Sequence, residues 1–180
     1  MSPGVERTAE RMDARTFYEL QADLGASELV DGEVRPVTPT GRRHGRLQIR
    51  LGRLLDEYVE ARGRGEVVGG DVGYQLAHDQ VRGADIAVHL EPPPEKPGWE
   101  TVMPDLVVEI VSPSDRWVSV ERKAADYLGA GVAEVWIIDP ARRLLSMRCP
   151  DGAQHTFAES DDLTSEALEG FVLPLSRLFG

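Results

Sequence analysis

Between Gly41 and Arg62 leucines return at a helical period. Leu47, Leu51, Leu54 and Leu55 share one face with Tyr58, which predicts the longest helix of the chain. Upstream, Asp13 is a cap for a short helix over Ala14–Ala22 that turns Phe17 and Leu20 inward. The run SELVDGEVRPV holds two extended stretches about Asp31-Gly32, a dipeptide suited to the positive φ angles of a tight hairpin turn. GRGEVVGGDVGYQLA reads as a strand interrupted by glycines. DIAVHL, from Asp85 to Leu90, alternates as a strand does, and the four prolines of EPPPEKPGWE make the next segment a loop. MPDLVVEIV, Met103 to Val111, is almost continuously apolar, the pattern of a strand buried on both faces. Ser112-Pro113-Ser114-Asp115 supplies cap residues for a helix over Trp117–Gly129, closed by Gly131. VWIID (Val135 to Asp139) is a second buried strand, Leu144–Arg148 its antiparallel neighbour, and a short strand at Gln154–Phe157 precedes a last apolar segment, Phe171–Phe179. Helix, hairpin, helix, three strands, helix, strand, strand is the order of an α/β fold with a mixed central sheet flanked by helices. A flexible segment 1–12 and a single domain over 13–180 are expected.

Composition narrows the function. The chain has 180 residues, with 20 Lys and Arg against 31 Asp and Glu, a net charge of −11. That balance argues against a grip on a long nucleic-acid track by bulk electrostatics, because phosphate neutralisation needs clustered cations. One stretch departs from it: from Gly41 to Gly65 seven arginines face only Asp56, Glu57 and Glu60. A lone cysteine, Cys149, excludes an intrachain disulfide and a cysteine-rich metal cluster. No apolar run reaches the roughly 20 residues of a membrane span, and the N-terminus lacks the order of a secretory signal, so a cytoplasmic protein is expected.

Phosphate-binding glycine loops, H-E-x-x-H and G-x-S-x-G are all absent. What is unusual is carboxylates set inside strands. Asp85 opens an apolar strand and Glu109 lies within VVEIV, sharing a face with Asp105. A buried carboxylate costs several kcal/mol unless paired or metal-bound. Glu109 therefore either meets a buried arginine or emerges at a polar pocket. Lys123 and Tyr127 lie one turn apart on the face of Val120 and Ala124, so the lysine either snorkels at the rim or points into a pocket. His44 falls on the inward face of its helix, as core residue or site residue. Arg42, Arg46, Arg50 and Arg53 form a separate stripe, a solvated face or a phosphate-binding one, and Glu33 by itself reads as an exposed strand residue.

Taken in order, ELVDGEV, the inward His44, GADIAV, PDLVVEIVSPS, the K-x-x-x-Y of Lys123 and Tyr127, GVAEVWIIDP and LSRLF resemble a bacterial family of restriction-endonuclease-like proteins, the Uma type, within the PD-(D/E)xK nuclease superfamily. The resemblance runs from about Asp13 to Gly180. It implies a restriction-endonuclease-like core and an endonuclease that hydrolyses phosphodiester bonds of nucleic acid, DNA in the first place. It also implies Mg²⁺ or Mn²⁺ held by Asp85 and Glu109. The superfamily's lysine two positions beyond the second acid is replaced by Val111, and the resemblance passes its role to Lys123. Glu33 and His44 match further polar positions of the family's site, while Arg42, Arg46, Arg50 and Tyr127 are expected to meet nucleic acid. A homo-oligomer, a dimer, would place two sites on a duplex. Two alternatives stay open: a catalytically silent nuclease fold acting as an interaction or regulatory module, and a hydrolase of another phosphoester.

Overall fold

A computed structural model describes residues 11–180, so the expected flexible segment 1–12 lies, but for its last two residues, outside the described residues. Helix α1 (Ala14–Leu24) is capped by the Asp13 carboxylate, which accepts from Thr16 N. The hairpin follows as β1 (Ser27–Val30) and β2 (Glu33–Pro36), with φ of 51° at Asp31 and 74° at Gly32, the two positive angles its turn requires. Next come α2 (Arg42–Arg62), β3 (Glu66–Ala77), β4 (Gln80–His89) and β5 (Leu106–Ile110), then α3 (Trp117–Gly129), β6 (Glu134–Asp139), β7 (Leu144–Arg148) and β8 (Gln154–Ala158). The tail forms β9 (Asp162–Thr164), β10 (Val172–Pro174) and a one-turn α4 (Ser176–Phe179). β4 begins five residues before the alternation of DIAVHL suggests, because Gly83 interrupts the apolar pattern without breaking the pairing to β3.

Eight strands make one mixed sheet in the order β2-β1-β4-β5-β6-β7-β8, with β3 also on β4. β5 and β6 are parallel, joined through α3 as a parallel pair requires, and the other pairs are antiparallel. Leu106, Val108 and Ile110 of β5 pack with Leu47, Leu51, Leu54 and Leu55 of α2, while Val107 packs with Val120, Ala124 and Tyr127 of α3. Burial on both faces explains the unbroken apolar runs of β5 and β6. No helix among the described residues is long and apolar enough to cross a membrane.

The feature that positions the site is a split beside β4. One edge of β4 pairs with β3 along its length. The other edge meets β1 only at Val81 and β5 only at Ile86–Val88. The stretch between, Arg82–Asp85, lacks a strand partner on that side, so its polar groups must be met by side chains.

Candidate active site

Side chains fill the split. Gly83 N donates to Glu28 Oε1 at 3.0 Å. Beyond it, Asp85 Oδ2 accepts from Ile110 N at 2.7 Å and lies 3.1 Å from His44 Nε2. That contact fixes Asp85 beside the end of β5, one residue from Glu109. His44 arrives from α2, whose first turn lies over this end of the sheet, and Gln48 one turn later donates to the Asp85 carbonyl at 2.7 Å.

Glu109 lines the same cavity as Asp85 and meets Lys123, brought by α3. Lys123 Nζ lies 2.8 Å from Glu109 Oε2 and 3.0 Å from Glu28 Oε1. Arg82 closes the cluster, 3.0 Å from Glu28 Oε2 and 2.5 Å from Asp126 Oδ2, one turn beyond Lys123. Four carboxyl groups (Glu28, Asp85, Glu109 and Asp126) thus face two fixed cations, an excess of buried negative charge. Burial lifts Glu109 to about 8 against the pull of Lys123, with Asp85 and Glu28 adding to the rise. Burial opposes the charge of Lys123, but Glu109 and Glu28 outweigh it and hold the ammonium charged. Glu28 is likewise buried, yet Lys123 and Arg82 keep it below the ordinary carboxylate range.

A comparison within the chain shows what is special about Glu109. Glu134 is as buried, but its oxygens accept from Trp136 Nε1, Ser165 Oγ, Glu166 N and Ala167 N. It is a structural clamp on the tail. Glu109 Oε1 has no hydrogen-bond partner. Among the described residues no group of three or more His, Cys, Asp or Glu side chains is arranged to hold a metal. Asp85 and Glu109 line one cavity and offer two carboxylates, a donor set that a hydrated divalent cation can take. A cation there would also offset the surplus negative charge.

Asp85, Glu109, Lys123 and His44 come together, then, while other expected members of the site do not. Glu33 is exposed on the outer strand of the hairpin, paired with Arg35. Its place is taken by Glu28, five residues earlier. Tyr127 is fully buried against α3's face of the sheet and offers no surface to a nucleic acid. Burial, with Glu109 and Glu28 nearby, raises its phenol well above the usual range. Arg50 leaves the arginine stripe to hold the C-terminus, donating to the carbonyls of Leu178 and Gly180. Asp105, on Glu109's strand face, caps Leu90 N at 2.7 Å, at the opposite end of β5. The Glu28 assignment has a direct test. Glu28→Ala leaves Gly83 N and one Lys123 proton without acceptors and is expected to cost about 1–3 kcal/mol, whereas exposed Glu33→Ala stays within about 0.5 kcal/mol in the same thermal melts.

The cluster forms the floor of a cavity of about 860 Å³, bounded by Val30, Arg35 and Val37 of the hairpin region and by Ser112, Asp115 and Ser119 on the side of α3. The fold is one found in a nuclease-like protein of known structure. The crystal structure titled a putative nuclease belonging to DUF820 from Anabaena variabilis matches with a TM-score of 0.80, at 20% identity, over 93% of this chain and 97% of that one. A family model, Uma2, described as "Putative restriction endonuclease", matches residues 14–176, and the chain belongs to that family. No curated protein matches it.

Proposed function

We propose that the protein is a divalent-metal-dependent endonuclease that hydrolyses phosphodiester bonds of DNA. The observation that carries this reading is the buried pair Asp85 and Glu109 with the Lys123 ammonium 2.8 Å from Glu109, at the floor of an open cavity. Mg²⁺ or Mn²⁺, held by Asp85 and Glu109, would polarise the phosphodiester and lower the pKa of the attacking water. The chain's own groups do the rest. Lys123 presents a fixed positive charge where negative charge grows on the phosphoryl oxygens. Glu28 and Arg82 hold that ammonium in place, and His44 with Ile110 N fixes the orientation of Asp85.

Calorimetric titration with Mn²⁺ alone tests the reading before any substrate is chosen. Wild type should bind one ion, and Asp85→Asn and Glu109→Gln should each lose it. Equal binding by both variants would remove the metal from this site. A wild type that binds Mn²⁺ but cleaves no nucleic acid would favour the silent-module alternative.

Flanking phosphates fall to Arg42 and Arg46, which stay exposed at the start of α2. Arg42→Ala/Arg46→Ala should reduce the slope of log K against log salt by about 2, roughly one per lost contact. Arg50→Ala should leave that slope unchanged and instead lower stability, since it releases the C-terminus.

A further inference from the structure

We infer that Arg35 of β2 and Arg122 of α3 form a phosphate subsite, which holds the backbone phosphates flanking the scissile one; the inference rests on the nuclease reading above. Asp85 and Glu109 are each only 8% exposed, so a phosphodiester reaches them only by entering the cavity. A polyanion that enters needs cations along the lining. Arg42 and Arg46 do not belong to that lining. Among the described residues, its lysine and arginines are Arg35, Arg82, Arg122 and Lys123. Lys123 serves the scissile phosphate itself, and Arg82 is held between the carboxyl groups of Glu28 and Asp126. Arg35 and Arg122 are left for the rest of the strand.

Strand pairing and the helical period place the two. Arg35 is the direct cross-strand partner of Glu28, and such partners project from the same face of a sheet. It therefore stands beside the carboxyl group that holds Lys123 in position. Arg122 lies one turn beyond Ser119 on the same face of α3, and both residues line the cavity. One cation thus borders the cavity from the hairpin and the other from α3.

Both guanidinium groups are available as well as placed. Arg35 pairs with Glu33, and Arg122 with Asp31 Oδ2 at 2.5 Å; neither carboxylate belongs to the cavity lining. All four side chains are at least half exposed. Exposed pairs of this kind contribute little to stability, so a phosphate displaces either carboxylate at small cost. A guanidinium meets a phosphate through two parallel N–H···O bonds, which position the strand as well as neutralise it. In the free protein Asp31 and Glu33 occupy the positions that phosphates take in the complex.

Fluorescence anisotropy with a short labelled DNA strand and Ca²⁺ in place of Mg²⁺ tests the inference, beside single-turnover cleavage with Mg²⁺. Arg35→Ala/Arg122→Ala should lose about tenfold of affinity per arginine, the scale of one charge-assisted hydrogen bond, and about 2 from the slope of log K against log salt. Its cleavage rate at saturating strand should stay within about threefold of wild type, since these contacts hold ground state and transition state alike. Mn²⁺ binding and melting temperature should not change. Arg15→Ala/Arg142→Ala removes the same charge from exposed positions outside the cavity and should cost less than about threefold in affinity. Equal losses in the two double variants would reduce the effect to long-range attraction and overturn the subsite. Unchanged affinity in Arg35→Ala/Arg122→Ala would overturn it and leave the nuclease reading standing. A wild type that neither binds nor cleaves the strand would overturn both.

Discussion

Replacing Lys123 by methionine is expected to cut cleavage by about 10²–10³-fold and to cost about 3–5 kcal/mol of stability. Methionine keeps most of the apolar stem that lies along α3, so packing is nearly conserved. What disappears is the one ammonium shared by Glu109 and Glu28, 2.8 and 3.0 Å away. Two buried carboxyl groups then lose their common partner, and breaking such a pair costs far more than its net contribution when intact. In a chain of this size the loss corresponds to a fall in melting temperature of roughly 10 °C. It should be largest above about pH 8, where Glu109 would otherwise be ionised, and smaller below it. Lys123→Arg should restore stability better than cleavage, because a planar guanidinium cannot sit where a compact ammonium fits between two carboxylates. Differential scanning calorimetry beside a cleavage time course separates the two effects. If Lys123→Met melts and cleaves as wild type does, the lysine only lies along the rim.

Glu109→Gln should abolish cleavage, a loss above about 10³-fold, and change the pH dependence of folding in the metal-free protein. An ordinary glutamate ionises near 4.5, and burial lifts Glu109 to about 8. Between those values the folded chain keeps a proton that the unfolded chain has released. Stability from this group is therefore complete below pH 4.5, falls as pH rises through the interval, and stops falling above about 8. Glutamine carries no such proton, so its variant should lack this slope and gain on wild type as the solution becomes alkaline. Urea midpoints at intervals from pH 5 to pH 9, with a chelator present, measure the difference. Parallel curves for the two proteins would mean that Glu109 is ionised throughout, held so by Lys123.

Local patterns carried most of the fold. Asp31-Gly32 and the leucine face of α2 are decisions taken within a few residues, and the structure follows them. The caps expected before α3 do not serve it, since its N-cap is Arg116 with no side-chain bond and Asp115 accepts from Ser112 N instead. β9 and β10 are three-residue strands that exist because they pair with each other, so no periodicity announces them. The site divides in the same way. Glu109 was legible because a carboxylate inside VVEIV has to be explained, and Lys123 because a lysine shares a face with Val120 and Ala124. Glu28 was not. Glu28 and Glu33 both belong to the hairpin, and their strand register puts them on one face. Only the pairing of β1, not β2, with β4 decides that Glu28 reaches Gly83 N while Glu33 stays in water. Arg50 hid for a similar reason. Its stripe is regular, but its partners, Leu178 and Gly180, lie at the far end of the chain. Tyr127 followed Lys123 correctly by one turn, and that turn carries it from the rim into the core.

The central claim is that Asp85 and Glu109 support metal-dependent cleavage of a phosphodiester. Its most direct test is a time course on an end-labelled DNA strand with wild type and Glu109→Gln, each with Mg²⁺, with Mn²⁺ and with chelator. The account predicts internal cleavage by wild type with either ion, none with chelator, and none by Glu109→Gln under any condition. Cleavage that survives the chelator or the substitution, or a wild type that leaves the strand intact with both ions, would contradict it.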